Sequence, residues 1–211
     1  MRRVRVPKYG WRVAKALRRY LEKTPVSDPW KNGKNATKEF KSEVTRLLLI
    51  EQSKRCAYCG SRLFEEKPHR DHIAPKETYR KWIFWPQNLV LSCFRCNTEA
   101  KASYDPVVTE GKSYRTTTFG FVHPYLDDPT EHFTFTPGGF ALLIFSKNGS
   151  LKGQASIDLF DLSSTERAHQ RAKDYLLDDD IQHLHGGPFQ ELAEAAMEAI
   201  ARKGLTTKAS V

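Results

Sequence analysis

The sequence predicts an α+β fold with a zinc-stabilised core, and three observations carry that prediction. Two Cys-x2-Cys pairs, Cys56-Ala57-Tyr58-Cys59 and Cys93-Phe94-Arg95-Cys96, use all four cysteines of the 211-residue chain. Apolar residues recur at helical spacing ahead of the first pair and again in the last third. Between and after the pairs lie short β-branched and aromatic runs bounded by turn residues, the pattern of short strands.

The elements follow in order. From about Trp11 to Lys23, Val13, Leu17, Tyr20 and Leu21 share one helical face, with Arg12, Lys15, Arg18 and Arg19 opposite. That basic face is either solvated or an arm that grips a phosphate backbone. Residues 24–36 read as a loop. A second amphipathic helix starts at Thr37, buries Phe40, Val44, Leu47 and Leu48, and ends near Lys54. Strands are expected at His69–Ala74 and Asn88–Ser92, joined by the aromatic-rich loop Pro75–Gln87, with a helix opening near Asn97. Further on, Phe140–Phe145 and Leu151–Leu159 read as a hairpin turning at Asn148-Gly149. Ser163-Ser164-Thr165-Glu166 matches a capping box that opens a helix to about Asp178, and a last helix spans Pro188–Arg202. Three regions result: a basic helical region over 1–52, the core over 53–104, and an α/β accessory region over 105–211 for a partner or substrate.

Composition narrows the function. A formal charge of +9 and a pI near 9.4 fit a polyanionic partner such as nucleic acid, although solubility alone accounts for such an excess as readily. No apolar run approaches the ~18 residues of a membrane span. The basic N-terminus lacks the apolar stretch of a secretory signal, so an intracellular, cytoplasmic protein with no membrane partner is expected. In a reducing compartment the paired cysteines favour metal ligation over cross-linking.

Four thiolates in two knuckles suit tetrahedral zinc, and such a site is coordinatively closed, so its ion holds structure. Asp71-His72 lies between the knuckles, Asn88 near the second and Asn97 directly after Cys96. Neighbours on a strand point to opposite faces, so Asp71 and His72 can share a site only at an irregular strand end. Ile73-Ala74-Pro75 supplies one. There the Asp71 carboxylate can bind a hard cation and His72 can act as a general base.

The string Cys56-x2-Cys59, Arg70-Asp71-His72-Ile73-x-Pro75, Pro86-Gln87-Asn88-Leu89, Cys93-x2-Cys96-Asn97-x3-Lys101 resembles the HNH, or ββα-metal, endonuclease motif over roughly residues 53–102. The resemblance implies a ββα-metal core; the periodicity places the N-terminal helices before it and a β-hairpin plus helices after it. It implies His72 as general base, Asn88 as the residue orienting its imidazole, and Asp71 and Asn97 as ligands of a catalytic metal. The third signature position is asparagine, an HNN variant whose neutral oxygen suits Mg2+ or Mn2+ better than a second zinc. Arg70, Lys76, Arg80 and Lys101 surround the motif and are candidates for gripping flanking phosphates.

The segment His123-Pro124-Tyr125-Leu126-Asp127-Asp128-Pro129-x2-His132, followed by a hairpin and an arginine-bearing helix, is similar to the HNH subunit of Septu-type and retron-associated antiphage systems. That resemblance implies bacterial defence and a partner ATPase of the ABC or SMC-like type. His123, Asp127, Asp128 and His132 also read as a second metal cluster, against which the two prolines favour an ordered turn. The expected activity is hydrolysis of nucleic-acid phosphodiester bonds, with DNA preferred over RNA. The alternatives are a zinc-dependent nucleic-acid-binding module without catalysis and a nuclease acting on transfer RNA.

Overall fold

The computed structural model describes residues 3–5, 17, 19, 28–31, 35–63, 67–135 and 143–176. The helices expected over Trp11–Lys23, apart from Leu17 and Arg19, and over Pro188–Arg202 lie outside the described residues.

Helix α1 spans Asn35–Glu51 and buries Thr37, Phe40, Val44 and Leu48, the last three one helical turn apart. It ends where Ser53 and Lys54 take left-handed backbone angles. Gln52 then joins the helix end to the core: its Nε2 donates to the carbonyls of Arg55 and Leu91, and its Oε1 accepts from the Leu91 amide. The first knuckle follows at once and is docked by the Ala57 N–H donating to Leu91 O at 3.0 Å.

Strands β1 (His69–His72) and β2 (Leu89–Ser92) pair antiparallel, with Asp71 opposite Val90 and His72 opposite Leu89. Every β2 residue is buried, which suits a strand covered on both faces. Their long connection is compact: Tyr79 stacks on Trp82 at 4.9 Å, and Pro86 opens a 3-10 turn ending at Asn88. After Cys93 the chain enters a π-helical segment, Arg95–Lys101, closed by Ala102 at φ 43° with its N–H on Asn97 O. Strand, loop, strand, helix is the order the sequence predicts for this stretch.

Beyond it, β3 (Val107–Thr109) pairs with β4 (Thr118–Phe119). Asp128 caps the short helix α2 (Pro129–His132), accepting from the Thr130 N–H. Strand β5 (Phe133–Phe135) pairs with β6 (Ile144–Ser146).

The expected hairpin through Asn148-Gly149 is not what forms. Asn148 and Gly149 do adopt positive φ, 50° and 70°, but they turn β6 into helix α3, Leu151–Phe160. Ser150 decides this, because its hydroxyl accepts the Gly153 N–H as a helix N-cap, and the strand partner of β6 lies upstream in β5. Gly153 is required here: a Cβ would sit 2.4 Å from the His132 carbonyl oxygen. Helix α4, Thr165–Leu176, completes the described fold.

One apolar core joins these parts. Leu48 of α1, Leu89 and Leu91 of β2, Tyr58 of the first knuckle, Phe121, and Phe160 of α3 are all buried in it. Tyr58 stacks on Phe160 with ring centres 4.4 Å apart. No helix among the described residues is long and apolar enough to cross a membrane.

Candidate metal and catalytic site

The cysteines come together as their spacing predicts. The four sulfur atoms lie within 4.8 Å of one another, and Cys59 and Cys93 are 3.9 Å apart. A tetrahedron with Zn–S of about 2.3 Å has S···S edges of about 3.8 Å, so the cluster fits zinc. A disulfide, at about 2.05 Å, is excluded and all four cysteines are free. Beneath the cluster the Arg167 guanidinium donates to Cys96 Sγ at 3.3 Å, placing a cation against the thiolates. Asp174, on the same helix, accepts from Arg55 and from the Arg62 amide, so α4 is moored to the first knuckle as well.

The strand alternation of β1 sorts the next residues onto two faces. His69 and Asp71 face the π-helical segment: Asn97 lies against His69 Nδ1 at 3.2 Å, and Lys101 Nζ donates to Asp71 Oδ1 at 3.1 Å. The second Asp71 oxygen accepts the Tyr58 hydroxyl. Burial pushes the Asp71 pKa up, while Lys101 and Tyr58 pull it back. Asp71 and Asn97 thus belong to one layer, but among the described residues no hydrogen bond joins them. Each is held by a different neighbour.

Arg70 and His72 take the other face. Arg70 donates to Thr45 Oγ1 of α1 at 3.0 Å. The His72 ring packs edge-on against Trp30, 4.5 Å between centres, and its Nε2 lies 2.9 Å from the Ile83 carbonyl oxygen. A carbonyl only accepts, so Nε2 carries the proton and Nδ1 keeps the lone pair. Burial lowers the His72 pKa to about 4 against the smaller opposing effect of the Ile83 carbonyl. The imidazole is therefore neutral at pH 7, with Nδ1 as its basic atom.

Among the described residues Asn88, expected to orient that imidazole, makes no direct hydrogen bond to it. Its side chain is spent on the loop instead: Oδ1 accepts from Ala74 N at 2.7 Å and Tyr114 Oη at 3.0 Å, while Nδ2 donates to the carbonyls of Ala74 and Trp82. Asn88 fixes the loop, and the loop's Ile83 carbonyl holds the ring. The basic candidates also divide. Lys101 is 3% exposed, its ammonium shared between Asp71 and the His72 carbonyl, so it is not a surface phosphate grip. Lys76 is paired with Asp28 and Glu77. Arg70 is half-buried, and Arg80 lies on the surface. His123 and Asp127 form a turn, the His123 N–H donating to Asp127 Oδ2, as the prolines suggest.

Residues 56–103 match the HNH endonuclease family model. This chain carries an HNH domain. It is also similar to the Septu protein PtuB of Bacillus mycoides (strain KBAB4), 32% identical over 161 residues, covering 64% of this chain and 52% of that protein. To the Septu protein PtuB of Bacillus thuringiensis it is 30% identical over 125 residues, covering 58% of this chain and 42% of that protein. The chain spans about half the length of the curated relatives it matches.

Several residues packed around the candidate site carry no signal in the sequence, or a faint one. Period-2 alternation from Asp71 points to His69 on the same face. Tyr58 sits inside the first knuckle, but nothing local shows that its hydroxyl reaches Asp71. The Ile83 carbonyl, Tyr114 and Trp30 are main-chain or long-range partners with no motif of their own.

Proposed function

We propose that this chain is a metal-dependent nuclease that hydrolyses phosphodiester bonds, DNA before RNA, as the effector of a bacterial antiphage defence system controlled by a partner ATPase. The observation that carries the reading is His72: neutral by burial, with its tautomer set by the Ile83 carbonyl and its basic Nδ1 uncommitted to that bond. Nδ1 takes a proton from water, and the resulting hydroxide attacks phosphorus in line with the departing oxygen. A divalent cation held through Asp71 and Asn97 would stabilise charge on the scissile phosphate and the departing oxygen. The donor set fits Mg2+ or Mn2+, since carboxylate and carboxamide oxygens are hard ligands. Asp71 would then exchange its Lys101 partner for the cation. The similarity to Septu proteins supports the defence role and the ATPase partner.

One observation favours a second reading, a zinc-stabilised nucleic-acid-binding module without catalysis: both Asp71 oxygens are already engaged, by Tyr58 and Lys101. The test is a cleavage assay on supercoiled DNA and on transfer RNA, with Mg2+ or Mn2+, alone and with the co-purified ATPase. Metal-dependent cutting of DNA that His72→Ala reduces about 10²-fold or more supports the nuclease. Binding without cutting under every condition supports the module, and cutting confined to transfer RNA reassigns the substrate.

A further inference from the structure

Outside the motif, a buried line of hydrogen bonds runs from the accessory segment into the HNH domain. His123, Tyr114 and Asn88 are 0%, 2% and 0% exposed. The Tyr125 and Leu126 amides donate to His123 Nδ1 at 3.2 and 3.3 Å, so Nδ1 is an acceptor and carries no proton. A neutral imidazole has one N–H, which is then on Nε2, 2.9 Å from Tyr114 Oη. With its oxygen accepting from His123, the Tyr114 hydroxyl directs its own proton to Asn88 Oδ1. The line has a single polarity throughout.

That polarity decides which end of the Asn88 carboxamide is oxygen. Nδ2 is left to donate to Trp82 O at 3.2 Å, one residue before the carbonyl that holds His72. The Tyr114 ring meets the Trp82 ring edge-on at 4.9 Å, so hydroxyl and ring brace the same turn.

We propose that Tyr114 and His123 are positioning residues for His72, acting through Asn88 and the turn at Trp82-Ile83, an inference that rests on the nuclease reading above. Removing the Tyr114 hydroxyl leaves Asn88 Oδ1 with the Ala74 amide alone, so the fold keeps a satisfied partner while the Ile83 carbonyl loses a brace. Misplacement of a catalytic group by about 1 Å costs as much as ~10²-fold in rate.

The test uses the full chain with its ATPase partner. Tyr114→Phe, which also leaves the buried His123 Nε2–H without its acceptor, is expected to retain zinc, lower the melting temperature modestly, hold KM within about twofold, and lower kcat about 10- to 100-fold. A pair at position 123 separates hydrogen-bond polarity from packing. His123→Asn keeps an acceptor in the place of Nδ1 but withdraws the donor to Tyr114, and should behave like Tyr114→Phe. His123→Gln keeps a donor in the place of Nε2 and should stay within about threefold of wild type. A second readout does not depend on turnover: with ¹⁵N-labelled histidine, wild-type His72 should show the Nε2–H tautomer, and Tyr114→Phe and His123→Asn should speed exchange of that proton or mix the tautomers. Unchanged His72 signals and unchanged kcat in both variants overturn the proposal, as do equal losses in His123→Asn and His123→Gln. If the wild type cuts nothing, the nuclease reading fails by itself, and the His72 signals alone then decide the coupling. Should Tyr114→Phe fail to fold, the contrast between the two position-123 variants decides in its place.

Discussion

Replacing Lys101 with Met removes one charge from a pair sealed inside the protein. The Lys101 and Asp71 side chains are 3% and 8% exposed, with Nζ and Oδ1 3.1 Å apart. At an effective dielectric near 20 that separation corresponds to about 5 kcal/mol of attraction. Lys101→Met conserves volume but leaves the Asp71 carboxylate buried without a cation, a loss of the kind that costs about 3–5 kcal/mol. It also strips the His72 carbonyl of its 2.8 Å donor. For a chain of this size about 2–4 °C of melting temperature accompanies each kcal/mol, so a fall of about 6–20 °C is expected. Thermal unfolding followed by near-UV circular dichroism, with zinc held saturating, measures it. Asp71→Asn in the same chain should recover a large part of the loss, because no unpaired charge then remains. Millimolar Mg2+ or Mn2+ should stabilise Lys101→Met more than wild type, since the ammonium no longer competes for Asp71. A fall below about 2 °C, or strict additivity of the two substitutions, would refute the reasoning.

Three further outcomes follow from the same structure. A strong chelator should withdraw one zinc per chain and abolish the near-UV signal, because structural zinc contributes about 10–16 kcal/mol, as much as the whole stability of a typical domain; a zinc-free protein with an unaltered melting curve would contradict this. Acidification should weaken the fold: folded His72 and His123 bind protons only near pH 4 and pH 3, because burial disfavours their charged forms, whereas the unfolded chain binds them near 6.5. Stability is therefore full above pH 6.5 and falls below it, by about 4 kcal/mol for the two at pH 5, which urea titrations at pH 7 and pH 5 would measure. Gly153→Ala should destabilise by about 1–3 kcal/mol, since its Cβ would meet the His132 carbonyl; an unchanged urea midpoint would show that α3 can shift freely.

What could be read from the sequence was whatever local chemistry enforces. Two Cys-x2-Cys pairs with no other cysteine have one economical arrangement, and the sulfurs do converge. The spacing of Phe40, Val44 and Leu48 marks the buried face of α1, with Leu47 only half-buried, and Asn88–Ser92 reads as a short strand, which forms over Leu89–Ser92. The failure at Asn148-Gly149 has a physical cause. Two left-handed residues reverse a hairpin, but they also feed a helix when a capping serine follows, and Ser150 does. Long-range partners left no trace. Asn88 stands out in the sequence as a candidate, yet its partners at Ala74, Trp82 and Tyr114 depend on how distant segments pack. Lys101 reads as an exposed cation because lysine usually is one. Only the buried acid above it makes it part of the core.

The measurement that bears most directly on the central claim is Mn2+ titration of the ¹⁵N-histidine-labelled protein, with zinc in place, observed through relaxation of the imidazole signals. A cation held between Asp71 and Asn97 should broaden His69 and His72 at low occupancy, and Asp71→Ala should remove the effect. Uniform broadening, or broadening of His69 and His72 that survives Asp71→Ala, would mean that these residues do not gather a metal beside the proposed base.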